Sequence, residues 1–241
     1  MQKLLSLTRK ALSDYNMIKD GDKIAVGLSG GKDSIALLAL LSAYKKFAPE
    51  KFELVAINID LGFKDTDQSQ VQATKDYCES IGVELMIERT QIYDIILERE
   101  EKSPCSLCSK MRRGALNSVA KEHGCNKLAL GHHADDVLET FILSLIYEGR
   151  ISTFMPTSHM DRSNITLIRP LIYIEEKYLS GLARRYELPI IHNPCPQDKH
   201  TKREDAKQLI TKLEEKYGCK QNMLTALFHP ERNNLWDKVT K

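Results

Sequence analysis

Residues 23–44, KIAVGLSGGKDSIALLALLSAY, decide the reading of this chain. Lys23 to Leu28 is a short apolar run with the look of a buried strand, and residues 35–44 form an Ala- and Leu-rich helical stretch. Between them lies Ser29-Gly30-Gly31-Lys32-Asp33-Ser34, so strand passes into helix through a glycine turn. Two glycines permit positive φ and close approach of a ligand, and a helix N-terminus carries partial positive charge. Backbone N–H groups at such a junction therefore suit a pyrophosphate. Lys32 adds a full charge, and Ser29 and Ser34 offer hydroxyl donors. Asp33 would repel phosphate, so it is read as holding Mg²⁺. A bare glycine pair would read as a turn with Ser or Asp capping the helix. The spacing here is neither GxxxxGK[ST] nor GxGxxG.

Working outward, residues 52–60 (FELVAINID) read as a second strand, 68–81 as a helix, 83–88 (VELMIE) as a third strand and 93–99 as helical. Residues 105–123 read as a helix stopped by Gly124, 127–131 (KLALG) as a fourth strand, 134–147 as an apolar helix, and 166–169 as a short fifth strand before Pro170. Strands alternating with helices imply parallel pairing, hence an α/β class with an open parallel, Rossmann-like sheet. Residues 1–19 place Leu4, Leu7, Ala11, Leu12 and Tyr15 at helical spacing, and 175–186 and 204–217 read as further helices. The expected organisation is a single domain over 1–241. Its parts are an N-terminal helix over 1–20, a core over 21–200 carrying the glycine turn and the paired cysteines, and a helical tail over 201–241. In such sheets ligands bind outside the carboxyl ends of the strands. The glycine turn, Asn58-Ile-Asp60-Leu-Gly62 and Gly131-His132-His133-Ala-Asp135-Asp136 all fall at such ends.

The chain has 241 residues, 42% hydrophobic and 28% charged, which suits a folded soluble protein. No apolar run approaches the roughly 20 residues of a membrane span, and MQKLLSLTRK is unlike a secretory leader, so a cytoplasmic protein without a membrane partner is expected. A net charge of +2 neither demands nor excludes RNA. Basic clusters at Lys110, Arg112 and Arg113, at Arg184 and Arg185, and at Lys199, His200, Lys202 and Arg203 would singly read as solvated faces. The first and last follow cysteines, which makes them candidates to grip RNA phosphates.

Six cysteines in such a chain argue for metal or redox chemistry, or for burial, over disulfides. Cys105-Ser-Leu-Cys108 opens a helix, so both sulfurs share a face and the helix dipole is expected to favour thiolate. CxxC alone leaves zinc, iron–sulfur, a redox disulfide and chance open. Cys78, Cys125 and Cys219 lack a partner at ligand spacing and read as small core residues. His132 and His133 are adjacent, so their side chains should point apart, as polar pocket residues and not one zinc site.

SGGKDS resembles the SGGxDS signature of PP-loop ATPases. Residues 105–114 (CSLCSKMRRG) and 131–136 (GHHADD) resemble the stretch that marks tRNA 2-thiocytidine synthetases. The resemblance runs over roughly residues 20–215. It implies ATP on Ser29, Gly30, Gly31, Lys32, Asp33 and Ser34, adenosine along residues 57–60 including Asp60, and a pocket wall from Gly131, His132, Asp135 and Asp136. Asp135 or Asp136 would help hold the metal or cap the following helix. It further implies a [4Fe-4S] cluster on Cys105, Cys108 and, from the loop Asn193-Pro-Cys195-Pro, Cys195, with one iron left open for sulfur. Family members often carry a second CxxC there. Lys32, Asp33 and the three cysteines are the implied catalytic set. In the implied reaction a tRNA carbonyl oxygen, cytidine C2 in this family, attacks the α-phosphate of ATP, pyrophosphate leaves, and sulfur displaces AMP. Implied partners are tRNA and a sulfur donor such as a cysteine desulfurase or sulfide, with the chain single or as a homodimer. Two other readings are a PP-loop ligase forming a C–N bond on tRNA, lysidine synthetase-like, with CxxC as a zinc staple, and a non-catalytic RNA-binding metal module. An intact SGGKDS speaks against the second.

Overall fold

The computed structural model describes residues 1–63, 65–99, 104–191, 195 and 202–232. β1 (Lys23–Leu28) lies between β2 (Glu53–Asp60) and β4 (Lys127–Ala129), and β2 pairs with β3 (Glu84–Arg89), all in parallel. β6 (Ile165–Ile168) joins β4 in parallel, and β5 (Thr157–Met160) closes that edge antiparallel, giving the order β3-β2-β1-β4-β6-β5. The chain winds outward from β1 to β3, then crosses back to β4, so the carboxyl ends of β1 and β4 flank the switch point where open α/β sheets bind ligands. β5 is not legible in the sequence: Thr-Ser-His-Met has neither alternation nor an apolar run, and β6 recruits it as an edge partner.

The alternation of each strand divides the core. Ala25, Val55, Ile57, Ile59 and Leu128 pack with Ile92 of α4 (Ile92–Glu98) and with Leu116, Val119 and Ala120 of α5 (Pro104–Glu122). Their neighbours Ile24, Val26 and Ala56 are fully buried and point to the other face. α2 (Lys32–Lys45), which contacts β1, is buried along nearly all its length between α1 (Gln2–Asp14) and α7 (Glu176–Arg185). It needs no polar face. α3 (Gln68–Ser80) packs on β3 and opens with Asp67 as its cap, the carboxylate accepting from the Ser69 N–H.

Residues 1–133 and 155–198 form one compact unit, and 134–154 with 199–241 form another. In the second, α6 (Ala134–Leu143), α8 (Lys202–Tyr217) and α9 (Lys220–Phe228) share a core of Ala134, Leu138, Ile142, Ala206, Ile210 and Leu224. The apolar stripes of α8 and α9 are thus buried on a helix assigned from sequence to the main core. α6 also ends sooner than expected, passing into a π-helical turn at Ser144–Glu148 that Gly149 stops at φ 62. Among the described residues no helix is long and apolar enough to cross a membrane.

Candidate active site

The glycine loop is held open by its own side chains. Ser34 Oγ donates to the Gly31 carbonyl at 2.8 Å and accepts from the Ser29 N–H at 3.2 Å, and the Gly31 N–H donates to Ser29 Oγ at 3.3 Å. Gly30 sits at φ +82, where a Cβ would lie 2.7 Å from that of Ile191, so this position takes only glycine. Gly31 caps α2 in an extended conformation, leaving the helix's first N–H groups for a ligand. Lys32 Nζ donates to Glu176 at 2.8 Å and to Asp33 at 3.0 Å. Burial alone would lower the Lys32 ammonium, but the hydrogen bonds and charges of Glu176 and Asp33 outweigh it and raise it. Asp33 also lies 3.7 Å from His133 Nε2.

Two cavities flank this loop. One, of about 230 Å³, is lined by Ser29, Asp33, Ser34, Arg112, Gly131 and His132, with apolar walls from Ile57, Ile59, Leu116 and Leu130. The other, of about 680 Å³, runs past Asn58, Asp60, Phe63 and Arg89, and shares Ser29, Ile59 and Arg112 with the first. Asp60 is occupied locally: its carboxylate accepts from the Gly62 N–H at 3.0 Å and its carbonyl from Thr90. It shapes the turn at the end of β2. Gly131 has a requirement of its own, since a Cβ there would stand 3.0 Å from the Asp33 carbonyl group and 3.1 Å from the Ser34 nitrogen. The two loops touch backbone to backbone.

Cys105 and Cys108 open α5 as expected, with Cys105 exposed, Cys108 half-buried and Cys195 half-buried. The expectation of favoured thiolate is corrected for Cys108. Burial pushes its thiol up, Arg112 pulls it down, and Cys195 and Cys105 push it up again, with a net rise. Charge on Cys195 therefore acts on Cys108. Among the described residues no three His, Cys, Asp or Glu side chains form a group that could hold a metal ion. Cys78 and Cys125 are buried, as expected, and Cys219 is half-buried.

The rest of the expected site divides. His132 and His133 do point apart: His133 faces Asp33, while His132 Nδ1 accepts from Arg169 at 3.3 Å. Asp135 pairs with Lys220 at 2.6 Å, and Asp136 with Arg203 at 3.1 Å, so both carboxylates are engaged within the second unit. Arg203 also holds the buried Glu139 and is committed to carboxylates, against its expected place on an RNA face. Lys202 stacks over Tyr147 at 4.1 Å. Lys199 and His200 lie outside the described residues. Sequence reasoning missed Arg169 altogether and assigned Arg112 to RNA alone, whereas Arg112 lines both cavities. A lone arginine before Pro170 signals nothing until the fold places β6 beside β4.

A loop of this geometry at a switch point, on a parallel sheet, defines the class, and a family model described as a PP-loop domain matches residues 3–214: the chain belongs to that family. It is 38% identical over 234 residues to the tRNA-cytidine(32) 2-sulfurtransferase of Geobacter metallireducens, covering 95% of this chain and 90% of that protein. It is 40% identical over 235 residues to the enzyme of the same name from Marinobacter nauticus, covering 95% and 76%. Within the PP-loop proteins, its family is that of the tRNA-cytidine(32) 2-sulfurtransferases. Among solved structures, the U34-tRNA thiolase NcsA from Methanococcus maripaludis, determined with its [4Fe-4S] cluster, aligns with TM-score 0.75 at 27% identity over 98% of this chain and 80% of that one.

Proposed function

We propose that the protein activates a tRNA cytidine with ATP and exchanges its C2 oxygen for sulfur. One observation supports this most. Arg112 lines both cavities at the phosphate loop, and its charge acts on the Cys108 thiol one turn earlier in α5, so a single arginine is common to the loop and to the cysteines. The curated relatives carry the matching name.

The residues divide the work. Backbone N–H groups of 30–34 and the hydroxyls of Ser29 and Ser34 would hold the triphosphate, and Lys32 would neutralise the departing pyrophosphate. Asp33 would hold Mg²⁺, which would supply charge neutralisation at the phosphates. Arg112, on the wall of both cavities, would meet the charge that grows on the α-phosphate as the base oxygen attacks and the bond to pyrophosphate breaks. Apolar walls from Ile57, Ile59, Leu116 and Leu130 keep water from the adenylated base. Cys105, Cys108 and Cys195 would hold a [4Fe-4S] cluster as its thiolate donors: charge on Cys105 and on Cys195 acts on the Cys108 thiol, beside the Arg112 cation. When bound, that cluster supplies an iron without a protein ligand at which sulfur is presented. The target oxygen leaves with AMP, and sulfide replaces the sulfur used.

The test is anaerobic turnover with unmodified tRNA, ATP, Mg²⁺ and sulfide, following AMP, pyrophosphate and 2-thiocytidine by mass spectrometry. Equal amounts of the three are expected, with none from Asp33→Ala. Release of ADP would overturn the reading, as would zinc in place of iron together with a Cys195→Ala protein that still thiolates.

A further inference from the structure

Arg169 ends β6 with its side chain turned inward, and it is only 8% exposed. Its backbone N–H donates to the Pro156 carbonyl at 3.0 Å, one guanidinium N–H donates to the Met155 carbonyl, and Nε–H donates to His132 Nδ1 at 3.3 Å. A guanidinium has donors and no acceptor, so the Nδ1 it meets must offer a lone pair. The proton of the neutral ring is then on Nε2. A second proton would place a cation against a cation.

We infer that Arg169 is a positioning residue that fixes His132 as the neutral Nε2–H tautomer, making the imidazole of the 230 Å³ cavity a hydrogen-bond donor to a phosphoryl oxygen of the nucleotide. The choice of ligand rests on the ATP reading above; the tautomer does not. β6 presents Arg169, α5 contributes Arg112 on the cavity wall and Arg113 whose charge reaches Arg169, and α2 contributes Asp33, whose carboxylate faces Lys32 and the neighbouring His133. Burial, then Arg113, lower the Arg169 guanidinium to about 10, which still leaves it charged at neutral pH. A donor that keeps its proton binds a developing phosphoryl charge without competing as a base, the role of an oxyanion-hole group. His133, beside it in sequence, faces Asp33 and serves a different partner.

The experiment is ¹⁵N–¹H correlation of histidine-labelled full-length protein at neutral pH, with the His132 signals assigned by their loss in His132→Gln. In the wild type, Nε2 should be protonated and Nδ1 bare. A protonated Nδ1 or an imidazolium overturns the inference, whether or not any variant folds. Arg169→Met should give a mixture of tautomers or a charged ring, and should slow tRNA-dependent pyrophosphate release roughly tenfold or more, with the KM for ATP within about twofold. Arg169→Lys, keeping a cationic donor, should recover part of both; a Met variant with the wild-type spectrum and rate sinks the idea. If the wild type released no pyrophosphate with tRNA, the proposed function would fall while the spectrum still decided the tautomer.

Discussion

At the scale of single residues, the site depends on contacts between loops more than on the side chains that bear its chemistry. Gly131 is the clearest case, because its need is closeness and not an unusual φ: a Cβ would press on the backbone of Asp33 and Ser34 at the start of α2. Gly131→Ala should therefore cost about 1–3 kcal/mol and displace the phosphate loop, with an activity loss on the order of a hundredfold. Thermal denaturation and pyrophosphate release measure the two together. A variant with unchanged melting and turnover would show that the two loops do not press on each other. Cys108 makes the related point for electrostatics. Its place at a helix start argues for thiolate, and burial reverses the sign.

At the scale of elements, α7 is tied to the start of α2 through Glu176 and Lys32. The folded-state Lys32 value is raised, so the pair stabilises the fold fully below the ordinary lysine value and loses its effect as pH climbs through the raised one. Glu176→Gln should lower stability at pH 7 by about 1–2 kcal/mol. That difference should shrink as pH passes roughly 10.4. Urea denaturation across that range checks it, and a difference independent of pH would assign the effect to packing of α7.

At the scale of the whole molecule, 35 basic against 33 acidic side chains leave no bulk field to attract RNA, so affinity must come from local faces. With Arg203 held by Asp136 and Glu139, the expected face reduces to α5, where Lys110 and Arg113 are exposed and three residues apart. The double variant Lys110→Ala, Arg113→Ala should bind tRNA more weakly, with a salt slope shallower by about 1–2, at nearly unchanged melting temperature. An unaltered slope would remove this face from the RNA site. The two compact units predict separate cooperative behaviour as well, since each has its own apolar core.

The sequence by itself determined what is local. The phosphate loop, the parallel strands β1 to β4 and the helix that starts with CxxC were legible because glycine freedom, apolar runs and helical spacing act over a few residues. Only the tertiary structure decided what depends on neighbours far along the chain: that β5 is a strand, that α8 and α9 bury their faces on α6, that Asp135 pairs with Lys220 and Asp136 with Arg203, and that Arg169 meets His132. The physical reason is shared. Burial and charge pairing set the sign and strength of each interaction, and both are properties of the packed chain that no short stretch of sequence carries.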